Sequence, residues 1–235
     1  DIAKNACSGD WLIYLQADEV IHEQYLDHIV EQCQFYLNDE EVEGFLFHYL
    51  HFFGDYQHYN DHHGWYPKEI RIVRNDPDIH SYISAQSFRR IPNFDGKNYR
   101  QKEGTYKLKV RQLDAYVYHY GWVRPPRLMQ KKSKSLDTIH KGAEKANAMY
   151  EKRAAGYDYG NMNWYKDFQG THPKVMKDWI AQFDWADELH FEKAHQVSRP
   201  LMKHEKPKYR RITWIEQNLF GGRQLFAYSN WKLLR

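Results

Sequence analysis

The sequence predicts an α/β protein with a mixed sheet, flanking helices and a helical C-terminal part, and three observations carry that prediction. Residues 11–15, Trp-Leu-Ile-Tyr-Leu, form an apolar run of strand length that leads into Asp18 and Glu19, as a strand buried on both faces delivers carboxylates to a sheet edge. Residues 69–74 and 113–120 alternate polar and apolar side chains, the period of a half-buried strand. Beyond Pro125 and Pro126 the chain turns to Lys, Ala, Glu and Met, residues that favour helix.

Residues 1–8 read as the end of a helix stopped by Gly9. After the acidic strand end, Ile21, Tyr25, Leu26, Ile29, Val30, Cys33 and Leu37 fall at helical spacing and predict an amphipathic helix over 21–37 that faces the core. An acidic turn over 38–43 precedes the apolar stretch 44–50, and a loop dense in His, Tyr, Asp and Gly spans 51–67. The strand at 69–74 is closed by Asn75-Asp76-Pro77. A polar turn covers 94–104, and Gly121 stops the strand at 113–120. One long exposed helix is expected over 127–153, and a second over 174–183 with Thr171-His172-Pro173 as its N-cap. A basic loop over 203–211 and a short helix over 212–220 complete the chain, with an apolar, aromatic stretch at 225–234. The change of character places a domain boundary between 123 and 124.

With 235 residues the chain is long enough to bury a sizeable core. Its 34 Lys and Arg against 31 Asp and Glu leave a net +3 spread along the sequence, which excludes the basic footprint of a nucleic-acid binder. Aromatic residues make up 17 %, beside 14 His. Such rings suit sugars, bases and a contact in a homo-oligomer as well as a core. Cys7 and Cys33 give neither a disulfide framework nor a zinc site, so a reducing, cytoplasmic compartment is expected. No stretch approaches the ~20 apolar residues of a membrane span. No signal-peptide pattern occurs in 1–235, although a leader ahead of Asp1 would lie outside it. The basic, aromatic stretch 203–235 suits a lipid headgroup region, which would place the protein at the inner face of the membrane, or else it is a docked terminal element.

Three places in the sequence carry residues suited to chemistry. Asp18 with Glu19 suits a divalent cation bridging two phosphates, or else an acidic N-cap of the following helix. His119, after a strand and just before Gly121, suits a metal ligand or a hydrogen-bonded core histidine. The triplet Asp61-His62-His63 invites comparison with Asp-His-His phosphoesterases, although it follows Tyr59-Asn60 rather than a buried strand; the surrounding loop otherwise reads as an acceptor-facing surface of rings and polar groups.

The stretch Ala3-Lys4-Asn5-Ala6, then Gly9-Asp10 and the run through Glu19, resembles a bacterial family-2 glycosyltransferase. In that family a helix bearing Ala-Arg-Asn leads through Gly to a hydrophobic strand ending in Asp-Ala-Asp-Glu. Residues 69–75 resemble its arginine-bearing strand, and Tyr118-His119-Tyr120-Gly121 its late histidine. The resemblance covers roughly residues 1 to 125, with the motifs in the family's order; Gly170-Thr171-His172-Pro173 is similar to bacterial relatives.

The resemblance implies a GT-A-like fold for nucleotide-diphospho-sugar transfer, with a partial catalytic domain at 1–123 and a helical extension at 124–235. It implies Mn or Mg held by Asp18 with His119 as a second ligand, and Asn5, Gln16 and Asp18 at the nucleotide sugar. The acceptor would be a glycan or a lipid-linked molecule, as in polysaccharide biosynthesis. Glu69, at the start of its strand, is the candidate catalytic base, or else an exposed strand-edge acid. Gln16 stands where the family has its first Asp, and an amide is a poorer ligand for a hard cation. The family's first strands and helices, which hold nucleobase and ribose, would lie ahead of Asp1. A preceding segment, a second copy of the chain or a remnant without activity are the three readings of that, the first being the expectation. A non-catalytic carbohydrate-binding or assembly module, with the rings of 45–65 and 157–168 as its platform, is the alternative from another class.

Overall fold

A computed structural model describes residues 1–83, 87–225, 227 and 229–235. The chain forms a mixed α/β structure of two compact units, one made of Asp1–Tyr49, Tyr66–Tyr118 and Phe226–Arg235, the other of Leu50–Trp65 and His119–Leu225. The units interleave along the sequence, and two long strands, β3 (Gly44–Phe53) and β8 (Tyr106–Trp122), supply residues to both.

In the first unit α1 (Ile2–Asn5) is followed by β1 (Trp11–Ile13), β2 (Glu19–Ile21) and α2 (Leu26–Phe35). The sheet runs β1, β5 (Lys68–Arg74), β3, β8, β7 (Ser87–Arg90), β6 (Ile79–Tyr82). β1 pairs antiparallel with β5, as do β3 with β5, β6 with β7 and β7 with β8, whereas β10 (Trp231–Leu233) runs parallel to β8, so the sheet is mixed. β3 reads Gly-Phe-Leu-Phe-His-Tyr because it is covered on both faces. Phe45, Phe47 and Tyr49 join Ile29, Ile72, Leu113 and Val117 in one core. Leu46, of opposite parity, packs with Ile70, Val73, Ile79, Leu108 and Val110 in another.

Several expectations for this unit change. The apolar run 11–15 forms only a short strand at the sheet edge, with Ile13 and Leu15 exposed, rather than a strand buried on both faces. Residues 69–74 are not half-buried: Glu69 through Val73 are all buried. The helix expected over 21–37 is shorter, because Glu19–Ile21 is extended and a 3-10 turn, Glu23–Tyr25, precedes α2. His22 caps that 3-10 turn, its Nδ1 accepting the Gln24 N–H at 3.2 Å, while α2 itself starts after Tyr25 with no side-chain cap, so neither Asp18 nor Glu19 serves that purpose.

In the second unit β4 (His58–Tyr59) pairs antiparallel with the end of β3 and with β9 (Lys166–Asp167). The expected long helix is two, α3 (Pro126–Lys141) and α4 (Ala143–Tyr150), because Gly142 at φ +87° breaks the helical path. Pro126 opens α3 at a position where its missing N–H costs nothing. α5 (Lys177–Ala181) follows a 3-10 turn after Pro173 with no side-chain cap, and α6 (Pro207–Leu219) absorbs much of the expected basic loop. The core is aromatic: Phe52 stacks on Tyr120 at 4.8 Å, and Phe53 lies against Trp65, Tyr159 and Tyr165. Among the described residues no helix is long and apolar enough to cross a membrane.

Candidate functional site

The acidic turn after β1 is built around Glu19. Glu19 N–H donates to the Gln16 carbonyl at 3.0 Å, and the Glu19 carboxylate accepts the Gln16 N–H at 3.1 Å, which closes the turn from both sides. The same carboxylate receives Arg71 Nε at 2.9 Å, Arg71 Nη2 at 2.8 Å and Tyr49 Oη at 2.9 Å. Both members of this ion pair have fully buried side chains. Arg71 reaches it because β5 bulges there: Phe45 faces Ile72 and Leu46 faces Ile70, so Arg71 is the extra residue in the strand, and a bulge re-aims its side chain. The guanidinium lies 5.2 Å from the Tyr49 ring centre and 5.6 Å from that of Tyr14. Burial, with the neighbouring carboxylates, raises the Tyr49 and Tyr66 hydroxyls above their ordinary range despite the charge of Arg71.

This arrangement separates the two acids of the motif. Glu19 is a structural anchor, whereas Asp18 is half-buried at the tip of the clamped turn, within electrostatic reach of Tyr66. Gln16 contributes its backbone to the clamp. Asn5, at the end of α1, lines an open cavity of about 540 Å³ with Ala3, His80, Phe94 and Tyr99, a lining that does not include Gln16, Asp18 or Glu69.

Glu69 lies two residues from Arg71 and is buried, not an exposed strand-edge acid. Burial pushes its carboxyl up to about 7, although the Ile70 amide at 2.9 Å, the Arg71 charge and Ser87 Oγ at 3.1 Å oppose the shift. Behind it Asn230 Nδ2 donates to Ser87 Oγ at 2.6 Å, and Arg89 Nε donates to Asn230 Oδ1 at 2.7 Å. A carboxyl poised near neutral pH on a fixed network has the acidity of a general base.

His119 belongs to the second unit and is buried, its Nδ1 3.0 Å from Nδ1 of His51, so one ring must donate and the other accept. His51 in turn meets the edge of Trp65 at 5.1 Å. The residues of the Asp61-His62-His63 triplet point to separate partners: Asp61 to Gln217 at 2.8 Å, His63 to Glu216 at 2.9 Å, and His62 into a stack on His204. His204 Nδ1 accepts the Trp65 indole N–H at 3.0 Å, while Tyr165 Oη and Asn60 Nδ2 lie 3.3 Å from its Nε2. Burial, with the charges of His62 and Arg199, lowers the His204 imidazole to about 3. Tyr49, His51 and His204 carry no motif of their own, and Arg71 is legible only as part of the arginine-bearing stretch 69–75, not as the partner of Glu19. The one local signal was the arginine inside the apolar strand 69–74.

No protein-family model matches the chain, and no curated protein matches it. Its fold and local geometry define a mixed α/β protein with a clamped acidic turn in one unit and an aromatic, histidine-rich core in the other.

Proposed function

We propose that the chain is a metal-dependent glycosyltransferase of GT-A type, moving a sugar from a nucleotide-diphosphate donor to a glycan or lipid-linked acceptor. The observation that carries this reading is Asp18 presented at the tip of a turn that the buried Glu19–Arg71 pair holds rigid. A carboxylate on a fixed turn suits a hard divalent ion such as Mg or Mn, and the partial exposure of Asp18 fits that use. Such an ion, when bound, neutralises charge on the diphosphate leaving group. Glu69 supplies the base that takes the proton of the acceptor hydroxyl, its acidity near 7 matching that task. The resemblance also assigns His119 to the diphosphate; that residue lies in the second unit, buried against His51. The family order of the motifs around Asn5, Asp18, Glu69 and His119 supports the same reading.

The rings that a glycan-binding platform would display are mostly buried: Phe45, Phe47, Phe52, Phe53, Tyr56, Tyr157, Tyr159 and Tyr165 all face inward. That observation favours the enzyme over the binding module. The test is calorimetric titration of nucleotide sugars in the presence of Mn, with turnover followed as release of the nucleotide diphosphate. Binding and turnover that disappear in Asp18→Ala support the proposal, and a chain that binds no nucleotide sugar refutes it.

A further inference from the structure

Apart from the acidic turn, the second unit holds a cluster that the proposed transfer does not use. Asp158, His190 and His195 each offer a ligand atom, and these atoms all lie within 4.8 Å of one another. His195 Nε2 is 2.9 and 3.1 Å from the two Asp158 oxygens. The His190 ring lies parallel to that of His195, with centres 3.8 Å apart.

The backbone on both sides of the cluster is fixed. Asp158 Oδ1 accepts the Gly160 N–H at 2.8 Å, and Oδ2 accepts the Ser198 N–H at 2.7 Å. The His190 carbonyl accepts the Met162 N–H at 2.8 Å, and the Glu192 carbonyl accepts Asn161 Nδ2 at 3.2 Å. Two loops are therefore stapled together with one carboxylate and two imidazoles between them. This donor set, nitrogen from two His and oxygen from one Asp, suits zinc, which three protein ligands hold while water takes the fourth place. The 2.9 Å between the Asp158 and His195 ligand atoms is a hydrogen-bond distance; two tetrahedral ligands each about 2.1 Å from zinc stand about 3.4 Å apart, so the pair opens by roughly half an ångström when the ion replaces the shared hydrogen.

We infer that Asp158, His190 and His195 form a zinc site that clasps the segment 190–198 onto the loop 158–163. Binding needs His195 Nε2 deprotonated, so the hydrogen it shares with Asp158 moves to Nδ1 or leaves to solvent. His190 must also turn its ring so that a nitrogen faces the ion. Its side chain is 41 % exposed, against 17 % for His195 and 7 % for Asp158, so that rotation meets little packing.

The experiment is a Zn²⁺ titration of the whole, chelator-stripped chain by competition calorimetry, repeated with Co²⁺ to read the ligand-field bands of the bound ion. The expected result is one ion per chain with nitrogen and oxygen ligands, weakened at least about tenfold in His190→Ala, the lower end of what losing even an outer partner of a metal site costs. His190→Ala leaves the Asp158–His195 bond and the amide bonds of both loops in place, and a matching loss in His195→Gln completes the case. Asp18→Ala should leave Zn²⁺ binding unchanged, which separates this site from the proposed transferase site. Absence of Zn²⁺ binding, binding undiminished in both histidine variants, or binding lost only in Asp18→Ala would each overturn the assignment.

Discussion

Arg71 and Glu19, 52 positions apart in the sequence, form a two-pronged ion pair with N–O distances of 2.9 and 2.8 Å and side chains closed to solvent. Removing one partner leaves an uncompensated buried charge. Arg71→Met is therefore expected to cost about 3–5 kcal/mol of stability, read from denaturant unfolding midpoints. Glu19→Leu combined with Arg71→Met should cost less than the sum of the two single changes, because the double variant buries no lone charge.

Glu69 gives stability an unusual pH dependence. Its folded acidity, about 7, lies above the 4.5 of an unperturbed glutamate, so between those values the unfolded chain has lost a proton that the folded chain keeps. The contribution is fully present below about 4.5 and is lost as pH rises through 7, by up to about 3 kcal/mol. Glu69→Gln removes the dependence while keeping an acceptor for Ile70 and Ser87. Unfolding curves of wild type and variant at pH 5 and pH 8 should thus shift in favour of the variant at the higher pH. In turnover, the wild-type rate should rise through pH 7 and the variant should lose that limb.

His204 acts with the opposite sign. Lowered from 6.5 to about 3 by burial, its folded form stays neutral while the unfolded chain takes up a proton below about 6.5. Stability is complete above that pH and falls on acidification towards 3, by up to about 5 kcal/mol. Because the Trp65 indole can only donate, Nδ1 of His204 is the acceptor and the ring proton sits on Nε2. Long-range proton–nitrogen spectra should show that tautomer unchanged from pH 8 to about 4.

Gly54 permits the turn after β3. It has φ +80°, and a Cβ there would meet Met162 Cε at 2.7 Å and Sδ at 2.9 Å, with Met162 itself buried. Gly54→Ala combines left-handed backbone with overpacking and should cost about 2–4 kcal/mol. Thermal unfolding measures this, and shortening Met162 in the same chain should recover only the packing part.

Much of the architecture was legible because periodicity is local. The strands around 44–50, 69–74 and 113–120, and a helical region after Pro126, follow from apolar spacing and proline position alone. Asp18 and Glu19 were legible as acids after a strand, but not as a half-buried tip and a buried anchor. That distinction depends on which arginine arrives, and Arg71 arrives through a bulge set by the pairing of β3 with β5.

The sequence by itself determined the α/β class, the order of its elements and the residue types offered for chemistry. Only the tertiary structure decided that Glu69 is buried near neutrality, that His119 meets His51, that Gly142 divides a helix, and that Asp158, His190 and His195 converge. The physical reason is that the acidity of a side chain and its partners are set by dielectric and distance. Those come from segments far apart in the chain, which no local pattern records.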